Sequence, residues 1–221
     1  MTRWRRVGEL GVLVLAFLLL FWFVGVANPI PRPGVNTDRL GPDNGETVDE
    51  YIARSWESVD LASADDDLHW SLVSFTAETS PVGAFEAAGG VRIAQVLVRV
   101  PLERVQTQVI AVGVPGTERS VTEAGDVAAS RLQGSMGQWD RQAQIDGVSA
   151  SRLAAGCDCV VGLVVHAPAT ALDSIRSRPD VRAVESLPSD ARAGKFAVRA
   201  LLPDYVDVVG PLPDDGPIPP A

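Results

Sequence analysis

Two periods of apolar residues organise this chain: steps of two, which mark strands, and steps of three and four, which mark helices. Val91 to Val100 (VRIAQVLVRV) is the clearest strand, because Ala94, Val96, Val98 and Val100 line one face. Gln108, Ile110, Val112 and Val114 repeat the alternation, so the chain from Thr107 to Val114 is expected beside it. Pro101 to Gln106 separates the two, short enough for an antiparallel hairpin. Leu68 to Phe75 (LHWSLVSF) reads as an earlier strand, and Pro81 to Ala88 as a short helix. Cys159 to Ala167 (CVVGLVVHA) is apolar on both faces, the mark of a central, covered strand.

Thr47-x-x-Glu50 is a capping-box pattern with Val48, Ile52 and Val59 on one face behind it, which predicts a helix from Val48 to about Asp60. Asp65-Asp66-Asp67 closes that region as a polar turn. Between Glu118 and Ala155, Ala128, Leu132, Met136, Trp139 and Ala143 recur at helical spacing. Gly125, Gly134, Gly137 and Gly147 each cost a helix about 1 kcal/mol relative to alanine, and a break is expected near Gly147. Pro168 can open a helix with Ala171, Leu172 and Ile175 buried, which Pro179 stops at Arg178. Val181 to Leu187 (VRAVESL) then returns as a strand parallel to Cys159–Ala167, with a right-handed crossover.

The resulting order, β-α-β-β-α-β-α-β, predicts an α+β domain: a small, mostly antiparallel sheet with helices packed on one face, in a ferredoxin-like pattern. Before it, Leu10 to Ala27 (LGVLVLAFLLLFWFVGVA) is an uncharged run of 18 residues. As a helix it reaches about 27 Å, close to the roughly 30 Å of a hydrocarbon core. Arg3, Arg5 and Arg6 precede it, so the positive-inside rule keeps residues 1–9 in the cytoplasm and puts everything after Ala27 outside. Gly25-Val26-Ala27 would also suit a signal peptidase cutting before Asn28, but the apolar run is longer than the usual signal core. Its length favours a retained signal-anchor, and export holds on either reading. Residues 28–46 are rich in Pro and Gly and read as a stalk, 47–201 as the extracytoplasmic domain, and 202–221, with six prolines, as a disordered tail.

Charge narrows the partners. The chain has 28 acids and 19 bases; Glu9 and the three arginines precede Asn28, leaving 27 and 16 beyond it, a net of −11. Such a surface repels nucleic acid and anionic lipid headgroups. Contact with membrane lipid is expected only through the N-terminal helix.

Candidate chemistry is sparse. Cys157-Asp158-Cys159 holds the only two cysteines, and outside the cytoplasm they are expected to oxidise. Residues i and i+2 of a regular strand lie nearly 7 Å apart, so a bridge requires a tight bend at Asp158. A structural local disulfide or a pair of buried thiols is favoured over a redox switch or soft-metal binding with His166, since two thiols and one histidine do not close a zinc site. His69 and His166 are the only histidines; His166 reads as a strand-rim residue and His69 as a strand start. Asp65-Asp66-Asp67 lacks the alternating spacing of a calcium loop. Leu212-Pro213-Asp214-Asp215-Gly216 departs from the sortase pentapeptide at its fourth position. No catalytic, cofactor-binding or metal-binding residues are assigned, and no cofactor is expected.

The stretch GCDCVVGLVVHAPATALDSIRSRPDVRAVESLPSDA (Gly156–Ala191), with the anchor and VLVRVPLERVQTQVIAVGVP before it, resembles a group of uncharacterised single-pass membrane proteins of actinobacteria that carry no assigned activity. The likeness implies an envelope-facing domain and transfers no functional residues. The pattern from Leu172 and Ile175 through Pro179, Val181 and Val184-Glu185 is also similar to the last helix and strand of subtilisin-type propeptide inhibitors, at the level of fold. The functional expectation is a membrane-anchored, non-enzymatic module of the cell envelope that binds a protein partner there. The alternative is a redox- or ligand-responsive sensor or regulatory subunit.

Overall fold

A computed structural model of the protein describes residues 14–23, 38–64, 67–135 and 140–220. The chain divides into two units, Met1–Asn36 and Thr37–Ala221. In the first, residues 14–23 are helical, and their large apolar side chains are 54% to 67% exposed. Ten helical residues reach about 15 Å, and among the described residues no helix is long and apolar enough to cross a membrane. The rest of the expected 10–27 span, the cytoplasmic residues 1–9 and stalk positions 28–37 lie outside the described residues.

The second unit runs β1 (Arg39–Leu40), α1 (Val48–Ala62), β2 (Leu68–Thr79), α2 (Pro81–Ala87), β3 (Arg92–Val98), β4 (Ile110–Gly113), α3 (Glu118–Thr122), α4 (Ala124–Ser135), α5 (Arg141–Ala154), β5 (Val160–Pro168), α6 (Ala169–Arg176), β6 (Val181–Ser186) and β7 (Ala197–Val198). It is α+β. Five strands form one sheet in the order β4-β3-β5-β2-β6, with every neighbouring pair antiparallel. The strand that is apolar on both faces, β5, takes the centre. Its successor β6 runs in the same direction, with β2 between them. β3 and β4 form the antiparallel pair that their alternation predicts, Val98 opposite Ile110 and Gln95 opposite Gly113.

Local signals set the helix starts. Thr47 Oγ1 accepts from the Glu50 N–H while the Glu50 carboxylate accepts from the Thr47 N–H, the reciprocal box that opens α1. Asp140 accepts from the Ala143 N–H at 2.9 Å and opens α5. That cap relocates the expected break. α5 passes through Gly147, because its buried face continues from Ile145 to Val148 and Leu153; a helix starts afresh at the Asp140 cap, and an earlier break falls at Glu123. Met136 and Trp139 lie outside the described residues.

Both faces of the sheet are apolar, and both are covered. On one, Val73, Phe75, Ile93, Leu163 and Val165 pack with Leu132 of α4, Ile145 of α5 and Leu172 and Ile175 of α6. On the other, Trp70, Leu72, Leu97, Val161 and Val164 pack beneath Leu187, Leu201, Leu202, Tyr205 and Val209. This second face corrects the expectation of a disordered 202–221 tail. Leu201 and Val209 are fully buried, and a large aliphatic side chain so placed gains roughly 1.5–3 kcal/mol. Covering the sheet outweighs the prolines' inability to pair. The stalk also ends earlier than expected: β1 pairs in parallel with β7, and Leu40 is buried, so the domain begins near Asp38 and not at Thr47.

Candidate functional site

Cys157 and Cys159 are joined in a disulfide with Cα atoms 5.4 Å apart. The chain bends at Asp158, where α5 hands over to β5, which is the bend that a two-residue spacing requires. The Cys157 N–H donates to Arg152 O at 3.2 Å, closing the end of α5. The Arg99 N–H donates to Cys159 O at 2.8 Å, carrying the ladder with β3 one step past Val160. Cys159 is buried and Cys157 half-buried. Both line a cavity of about 200 Å³ shared with Thr122, Asp126 and Leu153.

The histidines are kept apart. Trp70 and His166 are cross-strand partners and share a face, their rings stacked at 4.3 Å with Phe196 5.7 Å beyond. His69, one position earlier, therefore points to the opposite face. It is buried, with Nδ1 2.9 Å from Leu187 O. Burial, helped by the Arg92 charge, lowers the His166 pKa. The two rings cannot act on one substrate atom. Of the acidic triplet, Asp65 and Asp66 lie outside the described residues. Among the described residues, no group of three or more His, Cys, Asp or Glu side chains is placed to hold a metal ion.

Two polar clusters had little or no local sequence signal. In the first, Glu185 of β6 sits inside the fold and accepts from Arg54 Nη1 at 2.5 Å, from Tyr51 Oη at 3.2 Å and from the Gly41 N–H. Arg54 also reaches Glu46 at 3.1 Å. Burial pushes the Glu185 carboxyl above the usual range against the pull of these donors, and burial drives the Tyr51 hydroxyl well up. The network ties β1, α1 and β6 together. Only Glu185, beside Val184 in the strand VRAVES, hinted at it.

The second cluster holds the segment after Gly210 against the connection between β3 and β4. The Gln106 N–H donates to Asp214 Oδ1 at 3.0 Å, and the Gln106 amide donates to Leu212 O. Arg141 Nη2 reaches Asp214 Oδ1, Asp214 O and Gly216 O at 3.2–3.3 Å, and Arg104 pairs with Asp215 at 2.5 Å. The Gly216 N–H donates to Arg104 O at 2.8 Å. Arg104 has φ 54°, in the left-handed region, and is the only non-glycine residue of positive φ among the described residues. This segment is the pentapeptide that failed the sortase pattern; its partners at 104, 106 and 141 are too far away in sequence to be foreseen. Cavities of about 330 and 510 Å³ flank it, both lined by Leu102, Glu103 and Arg104.

No family model matches the chain, and no curated protein or solved structure matches it.

Proposed function

We propose that this protein is a membrane-anchored, extracytoplasmic protein-interaction module of the cell envelope, without catalytic activity of its own. The observation that carries the reading is how the domain holds an extended segment. Gln106, Arg104 and Arg141 hold residues 212–216 through backbone carbonyls and carboxylates, which is the way peptide-binding surfaces read a chain. Anchoring is supported by residues 14–23, where a helix carries apolar side chains on every side and leaves them exposed. A helix apolar all round calls for an apolar surrounding, and 10–27 is long enough in sequence to provide a span. The ferredoxin-like arrangement of β2, β3, β5 and β6, together with the resemblance to single-pass actinobacterial proteins, fits such a module but names no partner.

Intact mass and external protease accessibility of the membrane-bound full chain test the anchor. The reading expects a full-length mass and digestion of the domain from outside. A chain beginning at Asn28, or a domain shielded from external protease, sinks the topology. In-cell crosslinking that joins the domain to no envelope protein sinks the interaction role.

One observation favours a second reading, a redox-responsive regulatory subunit. The half-buried Cys157 of the disulfide lines a cavity at the edge of the core. Cys157→Ser should then change partner binding as reductant does. Identical binding in oxidised, reduced and substituted protein removes that reading.

A further inference from the structure

The segment held by Arg104, Gln106 and Arg141 is half proline. Between residues 211 and 220, positions 211, 213, 217, 219 and 220 are proline. Proline offers no N–H and fixes φ near −65°, so such a segment is extended before it binds and loses little entropy on docking. The contacts fit that chemistry. The groove supplies donors, and the segment supplies the Leu212, Asp214 and Gly216 carbonyls and the two Asp carboxylates. Gly216 alone donates back, to Arg104 O at 2.8 Å.

The hold is light. The two ion pairs, Arg104–Asp215 and Arg141–Asp214, have side chains 45% to 65% exposed. Pairs of that kind contribute about 0–1 kcal/mol each. Leu212 and Ile218 are only partly buried, each at the edge of one core, whereas Leu201, Leu202 and Val209 are the buried residues that cover the sheet. The fold thus depends on the chain up to Val209, and residues 211–220 form a strap over an already closed core. The strap also underfills its bed, as the cavities of about 330 and 510 Å³ on its two sides show.

Charge marks the bed further. The domain is strongly acidic, yet Arg104, Arg141 and Arg152 converge here; Arg104 and Arg152 line the same cavity. Arg99, 2% exposed, lines the other cavity and donates to Asp204 at 2.7 Å. With Glu103 and the Arg99-paired Asp204 as the acids in its lining, the bed keeps Arg104, Arg141 and Arg152 for an acidic segment, while the net negative charge of two domains opposes a second copy.

We infer that this groove is a docking site for an extended, proline-interrupted segment with adjacent carboxylates from a partner polypeptide, and that residues 211–220 occupy it in cis as a displaceable strap. The inference rests on the reading of this protein as an interaction module and names its surface. A tethered strap competes at an effective concentration in the millimolar range, so the groove stays closed until a better-fitting segment arrives or the strap is drawn away.

The test uses the full chain in detergent and a fluorescent nonapeptide with the sequence of residues 212–220. A chain ending at Gly210 should bind the peptide at least about tenfold more tightly than the full chain does, because the cis competitor is gone. A peptide with Lys at both Asp positions should bind at least about tenfold more weakly. A chain ending at Gly210 that keeps the thermal transition of the full chain but does not bind the peptide overturns the inference.

Gly216→Val in the full chain is the second arm. A Cβ there would lie 2.5 Å from Glu103 O and 2.9 Å from Arg104 O, so the strap lifts while the core is untouched. Peptide binding no stronger than in the wild type again overturns the inference, even if the shortened chain fails to fold. A concentration-dependent dimer that the peptide dissolves would assign the groove to a second copy's tail and overturn the partner assignment. If peptide binding fails while in-cell crosslinks map to another face, the groove is wrong and the interaction module stands. If the peptide binds but no envelope protein crosslinks, the module reading is the one that fails.

Discussion

Arg54 on α1 donates to the Glu185 carboxylate on β6 at 2.5 Å, across 131 positions of sequence. The Glu185 side chain is 5% exposed, and burial raises its pKa against the pull of the Gly41 N–H, Arg54 and Tyr51. A carboxyl raised in the folded state binds its proton more tightly folded than unfolded. Its contribution is therefore full below the ordinary range near 4.5 and is lost as pH rises through the raised value. Glu185→Gln keeps an acceptor for the Gly41 N–H and Tyr51 and removes the titration. Its urea stability at neutral pH should lie within about 1 kcal/mol of wild type, with a flatter profile above pH 4.5. Glu185→Ala leaves the buried donors without a partner and should cost about 2–3 kcal/mol. Equal damage from Gln and Ala would refute this account.

Strands and helices were legible because each obeys a local period: β3 shows its alternation, β5 its two-sided apolarity, and α1 its capping box. The bend at Asp158 was legible too, since a bridge across two residues of separation requires one, whereas the spacing alone left buried thiols open. The polar clusters were not, because Glu185 meets Arg54 and Asp214 meets Arg141 only once the sheet brings distant segments together. The tail misled because proline content reports on local pairing, whereas the fate of 202–209 is decided by an apolar sheet face needing cover. That demand is written in Trp70, Leu72 and Val164, not in the tail itself.

Acid should open the strap. The Gln106 N–H and Arg141 hold Asp214 below the usual carboxylate range, and Arg104 holds Asp215 there. For a lowered pKa the contribution is present above the ordinary value, near 3.8, and lost as pH falls through the folded one. Amide exchange at Gln106 and Gly216, referenced to Val164 in the central strand, should therefore accelerate below about pH 3.8. Asp214→Asn with Asp215→Asn should abolish that step. An unchanged step in the double variant would show that other groups close the strap.

Gly41 should be intolerant of a side chain. Its φ is 109°, and an added Cβ would lie 1.8 Å from Arg199 O. Its N–H also donates to Glu185. Gly41→Ala must shift backbone at the junction of β1 and β7, costing more than about 1 kcal/mol. For a domain of this size the thermal midpoint should fall by at least roughly 2–4 °C. Gly45→Ala, also at positive φ but with open space around its Cβ, should cost less. The reverse order would show that the contact with Arg199 relaxes freely.

The disulfide is expected to be a modest staple for the central strand. Cys157 and Cys159 enclose a loop of about three residues, for which chain entropy gives roughly 1.5–2 kcal/mol. Its larger effect is local, because the Arg99 N–H donates to Cys159 O one step beyond Val160 and Cys159 packs in the core. Replacing both cysteines with serine should lower urea stability by about 2–3 kcal/mol, the loop term plus a buried hydroxyl in place of sulfur. Amide exchange should quicken first at Arg99, while Val164 at the middle of β5 stays protected. If reduction of the wild type costs as much as the double substitution, the bond itself carries the effect. If reduction costs nothing, the packing of Cys159 holds the start of β5, and the disulfide is free to serve the redox reading.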